Sequence, residues 1–211
     1  MAFVIRSLPR CGTHMLRTAL DQHPEITCHS EVFNPDWGSR LEIEQLKAEG
    51  LYDKYTGDKT GFVVHGFTGI ERAEVNEYIS PLWEVLQRKR PTMIVLERED
   101  LLRRTISVYQ ALRTQRWHVW KAQPESHALV QPTVQSHEVK QQLDNAIESM
   151  HFSLANFPWA MFTTYERLVD EWPREIMAIQ QHIGVTRLVA TEPQTAKQDQ
   201  RPIHEMVANY S

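Results

Sequence analysis

The chain has 211 residues, a formal net charge of −4 and two cysteines, Cys11 and Cys28. A chain of that length is expected to fold as one domain, residues 1–211, burying roughly 70% of its unfolded surface, so its core needs no disulfide or metal staple. The acidic balance removes a global basic field for nucleic acid, two cysteines make no secretory disulfide framework, and no apolar run approaches the ~20 residues of a membrane helix.

Arg6 interrupts the first apolar stretch too early for a signal peptide. The expectation is a cytoplasmic globular protein with reduced thiols and no membrane span. From the N-terminus, Ala2 to Ile5 form a short buried strand, followed by the loop "SLPRCG". "THMLRTALDQH" places Met15, Leu16, Ala19 and Leu20 on one helical face, with Thr13 as N-cap and His23-Pro24 as the stop. "EITCHSEVFNP" has a brief extended core and turns at Asn34-Pro35. "RLEIEQLKAEG" predicts a short helix closed by Gly50. A strand then spans Gly61 to Phe67. Ser80 and Pro81 predict a helix start, because proline suits the first helical position. Thr92 to Glu97, "TMIVLE", is a continuous apolar run of the kind found in buried parallel strands. A helix from about Glu99 to Gln115 follows, then a polar, proline-bearing loop from Lys121 to Ser136. "EVKQQLDNAIESMHFSLANF" is helical up to Pro158, and "WAMFTTY" is another strand. The chain is helical again from Glu166, with Pro173 restarting the helix and Gly184 capping it. Beyond Val189 the tail is polar and irregular.

Strands and helices alternate, and the chemically active residue types follow strand ends. That pattern predicts an α/β fold: a P-loop-like three-layer α/β/α sandwich with a central parallel sheet. In such sheets ligands bind beyond the carboxyl ends of the strands. Two places there suit an anion. At the first, a strand runs through Arg10 and Gly12 into a helix, where backbone N–H groups and the helix dipole favour negative charge and an arginine can fork onto two oxygens. At the second, Arg98 ends the "TMIVLE" strand and Ser107 lies nine residues on, in the next helix. Read separately, each has an ordinary alternative: a surface arginine at a turn, and i,i+4 ion pairing within "EREDLLRR".

Together the two places are more specific. "PRCGTHML" with Arg98 and Ser107 resembles the sulfotransferase family, whose donor is 3′-phosphoadenosine-5′-phosphosulfate (PAPS). In that family a strand, Pro-Lys/Arg-Ser/Thr-Gly-Ser/Thr and a helix hold the 5′-phosphosulfate. A strand-terminal arginine and a serine on the next helix hold the 3′-phosphate. "CHSEVFNP", "ALRTQRW", "TTYERL" and "TAKQDQRPIHEMVANY" are similar to stretches of bacterial carbohydrate-type sulfotransferases. Two departures stand out. Cys11 replaces the usual hydroxyl residue, and Val63 and Val64 occupy a place where relatives often carry lysine, with His65 as its nearest substitute.

The resemblance implies nucleotide binding by Arg10, Cys11, Gly12, Thr13 and His14 at the 5′ end, and by Arg98 and Ser107 at the 3′ end, with Lys197, Gln198 and Arg201 of the tail folding over the nucleotide. It implies Glu31 as the base that deprotonates a hydroxyl acceptor, with Arg10 and His14 assisting at the sulfuryl group. His29, two residues from Glu31, is the rival base, because strand alternation puts both on one face. Trp117, Trp120 and Phe33 are candidate acceptor walls. The acceptor itself (a glycan, a glycolipid or a small alcohol) and the oligomeric state are left open. No metal is expected, since the chain has neither His-Glu-x-x-His nor paired Cys-x-x-Cys. The competing classes are a P-loop kinase or nucleotide triphosphatase, with Glu97 as its metal-binding acid, and a catalytically inactive PAP-binding module (PAP, adenosine 3′,5′-bisphosphate). The first lacks Gly-x-x-x-x-Gly-Lys-Ser/Thr.

Overall fold

The computed structural model describes residues 1–33, 40–66, 73–114, 131–194 and 201–209, without the side chains of 40–45 and 73–79. In chain order the elements are β1 (Phe3–Ser7), α1 (Thr13–Leu20), β2 (Thr27–Glu31), α2 (Arg40–Tyr55), β3 (Thr60–His65), α3 (Ala73–Lys89), β4 (Thr92–Glu97), α4 (Leu101–Thr114), α5 (Ser136–Asn156), β5 (Met161–Thr164), α6 (Tyr165–Asp170), α7 (Trp172–Ile183) and α8 (Ile203–Met206). The strands form one sheet in the order β2-β3-β1-β4-β5, and every pairing is parallel. The chain-order expectation of a parallel α/β sheet is met.

Two apolar layers sandwich the sheet. On one face Phe3, Ile5, Val63, Ile94 and Leu96 pack against Leu16, Ala19 and Leu20 of α1 and Ile176, Ile179 and Ile183 of α7. On the other, Val4, Phe62, Val64 and Met93 pack against Leu51 of α2 and Leu82, Val85 and Leu86 of α3. Successive strand residues alternate between the layers, as the pleat requires. Both faces are covered, so the strands read as unbroken apolar runs. In α7 the spacing Ile176, Ile179, Ile183 draws one stripe toward the sheet. No helix among the described residues is long and apolar enough to cross a membrane.

Several boundaries differ from the local sequence signals. β1 continues through Arg6 to Ser7, because Arg6 is buried with partners: its guanidinium donates to Ser149 Oγ at 2.8 Å and to Ser153 Oγ, and lies 3.7 Å from Glu97. α2 passes Gly50 and runs to Tyr55, its break falling instead at Lys47 with φ 53° and ψ 179°. α3 begins at Ala73 and carries Pro81 inside. There the packing of Leu82, Val85 and Leu86 outweighs the proline's lost hydrogen bond. Thr13 is the first residue of α1 and Gly12 its cap. α4 starts at Leu101, two residues later than expected. Of the loop predicted from Lys121 to Ser136, residues 121–130 lie outside the described residues. Ser136 already opens α5, whose capping box has the Gln135 N–H donating to Glu138 Oε2 at 2.8 Å. Pro173 starts α7 and Gly184, at φ 80°, closes it, as expected.

Candidate active site

The carboxyl ends of β1, β3 and β4 lie side by side in the sheet, and the loop after β1 sits above them. Its backbone enters the left-handed region twice, at Arg10 (φ 70°) and Gly12 (φ 86°). A non-glycine residue there is strained by about 1–2 kcal/mol, so Arg10 is held by its surroundings. Gly12 is required for a second reason: a Cβ at that position would come within 2.6 Å of the Tyr165 ring. The Leu16 N–H donates to the Gly12 carbonyl at 3.1 Å, which starts α1 directly after the loop. The first N–H groups of α1 therefore gather at the loop without intrahelical acceptors.

Three guanidiniums converge on this loop. Arg10 Nε donates to Ser107 Oγ at 3.0 Å. Arg98 Nη1 donates to the Arg10 carbonyl at 3.1 Å. Arg104 Nε donates to the Pro9 carbonyl at 3.2 Å. Arg98 also lies 4.6 Å over the Tyr165 ring and 3.8 Å from Glu166 Oε1. That carboxylate in turn accepts the N–H groups of Glu99 at 2.9 Å and Asp100 at 3.3 Å, tying the start of α6 to the entrance of α4. Arg98 and Ser107 are both buried. Burial, and then the neighbouring Arg98 charge, pull the Arg10 pKa down to about 10, so Arg10 remains a cation at neutral pH. Arg98 Nε and Arg104 Nη1 are buried with no hydrogen-bond partner among the described residues. Buried polar groups in this state call for an acceptor.

A second group sits beside the loop at the end of β2. His65 Nε2 and Glu31 Oε1 are 2.8 Å apart. His65 Nδ1 is 3.2 Å from Ser7 Oγ, and Ser7 Oγ is 2.7 Å from Thr13 Oγ1. A β-bulge brings Glu31 there. His29 is in register with Phe62, and Glu31 with Val63, so β2 spends two residues where β3 spends one. His29 and Glu31 consequently face opposite sides of the sheet. His29 meets Tyr55 edge-on at 5.1 Å. The expectation that the two share a face is corrected by this bulge.

Against solved structures, the chain matches a sulfotransferase from Alicyclobacillus acidocaldarius with a TM-score of 0.59 at 14% identity, over 96% of this chain and 87% of that one. It matches mouse sulfotransferase SULT7A1 complexed with PAP with a TM-score of 0.53 at 14% identity, over 89% of this chain. The chain has the sulfotransferase fold. It spans 60% of the length of the mouse protein. By sequence it is 23% identical over 221 aligned positions to Nodulation protein H of Rhizobium meliloti (strain 1021), covering 99% of this chain and 87% of that protein. No protein-family model matches.

On this sulfotransferase fold the residues singled out by sequence fall into three groups. Arg10, Gly12, Thr13, Arg98 and Ser107 are brought together at the loop, and His14 occupies the second position of α1. Cys11 sits in the loop with its thiol buried in the apolar layer, and burial pushes its pKa up to about 11. Phe33 belongs to the core. It packs 5.4 Å from Phe62 inside the second apolar layer and forms no acceptor wall. Lys197, Gln198, Trp117 and Trp120 lie outside the described residues. Arg201 accepts at its carbonyl from Arg103 Nη1 at 3.1 Å, which places the start of the tail beside α4.

Ser7, Arg104, Tyr165 and Glu166 were not legible as site residues. "EREDLLRR" held the signal for Arg104. Arg103 pairs locally with Asp100 at 3.3 Å, three residues away instead of the expected four, while Arg98 and Arg104 turn to the loop. Glu97, the acid a kinase-like reading would need at a metal, is engaged by Arg6 beneath the loop.

Proposed function

We propose that this chain is a sulfotransferase, a single domain that moves a sulfuryl group from PAPS to a hydroxyl acceptor (a glycan, a glycolipid or a small alcohol), with the cytoplasm as its place of action. The observation that carries this is the pair of adjacent guanidiniums, half-buried Arg10 and buried Arg98, at the start of a helix, where Arg10 Nε donates to Ser107 Oγ and Arg98 Nη1 donates to the Arg10 carbonyl. Like charges so placed are stabilised by a multiply charged anion. The residues fit the nucleotide: a glycine that admits close backbone approach, helix N–H groups, and arginine N–H groups with no acceptor among the described residues.

The chemistry follows from these roles. Glu31 takes the proton of the acceptor hydroxyl as its oxygen attacks sulfur in line. The bond between sulfur and the 5′-phosphate oxygen breaks, and the electron pair leaves with the phosphate. The products are the sulfate ester, PAP and a proton on Glu31 that passes to water. Such a transition state is loose and spreads charge over oxygens, so positioning and charge stabilisation do most of the work. Arg10, the N–H groups of Gly12 to His14 and the His14 side chain receive the growing charge on the phosphate and sulfuryl oxygens. Arg98 and Ser107 hold the 3′-phosphate, and Lys197 and Gln198 close over the nucleotide.

The test is thermal shift with PAP and with ATP plus magnesium, followed by an acceptor screen with radiolabelled PAPS. Stabilisation by PAP and labelled product are expected. Stabilisation by ATP-magnesium alone would overturn the reading. PAP stabilisation with no labelled product favours a binding module. In the same assay Glu31→Gln is expected to keep PAP affinity and lose roughly 10²–10⁴ in turnover.

A further inference from the structure

Resting on the sulfotransferase reading, we propose that His65 is a positioning residue for Glu31, and that the hydroxyl pair Ser7–Thr13 ties its imidazole to the donor loop. The distances form one continuous line: Thr13 Oγ1 to Ser7 Oγ at 2.7 Å, Ser7 Oγ to His65 Nδ1 at 3.2 Å, and His65 Nε2 to Glu31 Oε1 at 2.8 Å. The four residues come from the first turn of α1 and the ends of β1, β3 and β2. The line therefore crosses from the donor loop to the proposed base.

The donor and acceptor roles along it are constrained. An ionised carboxylate only accepts, so Nε2 must carry a hydrogen and donate to Glu31. Thr13 donating to Ser7, and Ser7 to Nδ1, satisfies the remaining groups with a neutral imidazole in the Nε2–H form. The alternative, Nδ1–H donating to the Ser7 carbonyl at 3.4 Å, makes the ring an imidazolium and leaves Nε2 donating to Glu31 all the same. Either way Nε2 donates to the carboxylate and fixes one of its oxygens. His65 and Glu31 side chains are 9% and 17% exposed, so the contact is shielded from competing water. The bulge in β2 aims Glu31 at this imidazole. A carboxylate in a regular strand would have followed His29 to the opposite face. A base fixed within a fraction of an ångström matters, since a 1 Å misplacement costs on the order of 10²-fold in rate.

Two measurements on the full chain test this. The first needs no acceptor: ¹⁵N-imidazole NMR of the wild type, with the His65 signal assigned by its loss in His65→Gln. The proposal expects a hydrogen on Nε2 and a shift of that signal in Glu31→Gln. An Nε2 without hydrogen, or a signal indifferent to Glu31→Gln, overturns it. The second uses labelled PAPS and the hydroxyl acceptor from the screen. His65→Ala is expected to lose about 10–100-fold in kcat, with PAP affinity and the KM for PAPS within twofold of wild type. His65→Gln, whose amide N–H reaches the same oxygen, is expected to recover much of that loss. A kcat within threefold of wild type, a parallel loss of PAP affinity, or a Gln variant no better than Ala overturns the positioning role. Should the wild type transfer no sulfuryl group, the enzymatic reading fails and takes the catalytic role with it, while the NMR signature still reports the contact.

Discussion

Two arginines four residues apart show how one sheet end can serve opposite purposes. Arg6 and Arg10 are both pulled down to a pKa of about 10, chiefly by burial. Arg6 lies in β1, enclosed by Ser149, Ser153 and the carboxylate of Glu97, with the Trp83 and Phe152 rings within 5.6 Å and 5.4 Å. Its nearest charge is the opposite one of Glu97, and two serine hydroxyls accept from its Nη atoms. Arg10 sits in the loop above, beside a second guanidinium whose charge lowers its pKa further. One arrangement closes the interior. The other gathers positive charge at an opening and suits an anion supplied from outside. Burial is the largest cause of both shifts, and the two sites differ in the sign of the neighbouring charge.

Substitutions can break this contrast. Arg6→Ala should be the most damaging to stability, because half-buried Glu97 loses its ion-pair partner and buried Ser149 and Ser153 lose their donor. The expected loss is about 3–5 kcal/mol, or roughly 10 °C in Tm for a chain of this size. Calorimetry with PAP titration on the folded fraction is expected to show affinity within threefold of wild type. A collapse of affinity with Tm intact would erase the distinction. Arg98→Ala should do the reverse. Loss of a charge-assisted contact removes about 1.5–3 kcal/mol of binding, roughly 10- to 150-fold in PAP affinity. Tm should move little, because the repulsion on Arg10 is relieved.

Smaller effects sharpen the same boundary. Cys11→Ser installs the hydroxyl that the loop resemblance leads one to expect, yet the side chain is wholly buried among apolar groups. It should destabilise by about 1–3 kcal/mol with no gain in PAP affinity, as read by urea melts and calorimetry. The wild-type thiol also sets a pH effect. Burial raises its pKa from 9.0 to about 11. The stability it contributes is therefore complete below about 9 and lost as pH rises through about 11. Alkylation of the native chain at neutral pH should be slow for the same reason. Ser107→Ala removes the hydroxyl that accepts from the charged Arg10 guanidinium, and calorimetry is expected to show PAP affinity lowered a few-fold.

Much of the fold was legible in the chain itself. "TMIVLE" maps onto β4 residue for residue, and Pro173 and Gly184 mark the two ends of α7. These signals are local: continuous apolarity, a 3.6-residue period, and residues with restricted or unusual backbone preferences. The failures were local signals overruled by packing, as at Gly50 and Pro81. At the site, Arg10, Gly12, Arg98 and Ser107 could be named because a strand-loop-helix unit and a strand-terminal arginine are sequential features. The bulge that parts Glu31 from His29 could not, because it exists only as a mismatch between two strands far apart in the chain. Nor could the line from Thr13 to Glu31, whose residues lie in four segments.

The sequence by itself determined the alternation of strands and helices, the strand-loop-helix form of the first loop, and the residue types available at the strand ends. It did so because backbone preference and apolar periodicity act within a few residues. Only the tertiary structure decided which arginine is enclosed and which is presented, that Cys11 belongs to the core, and that Glu31 meets His65. Those outcomes depend on which neighbouring charge, ring or hydroxyl the parallel sheet sets beside each group.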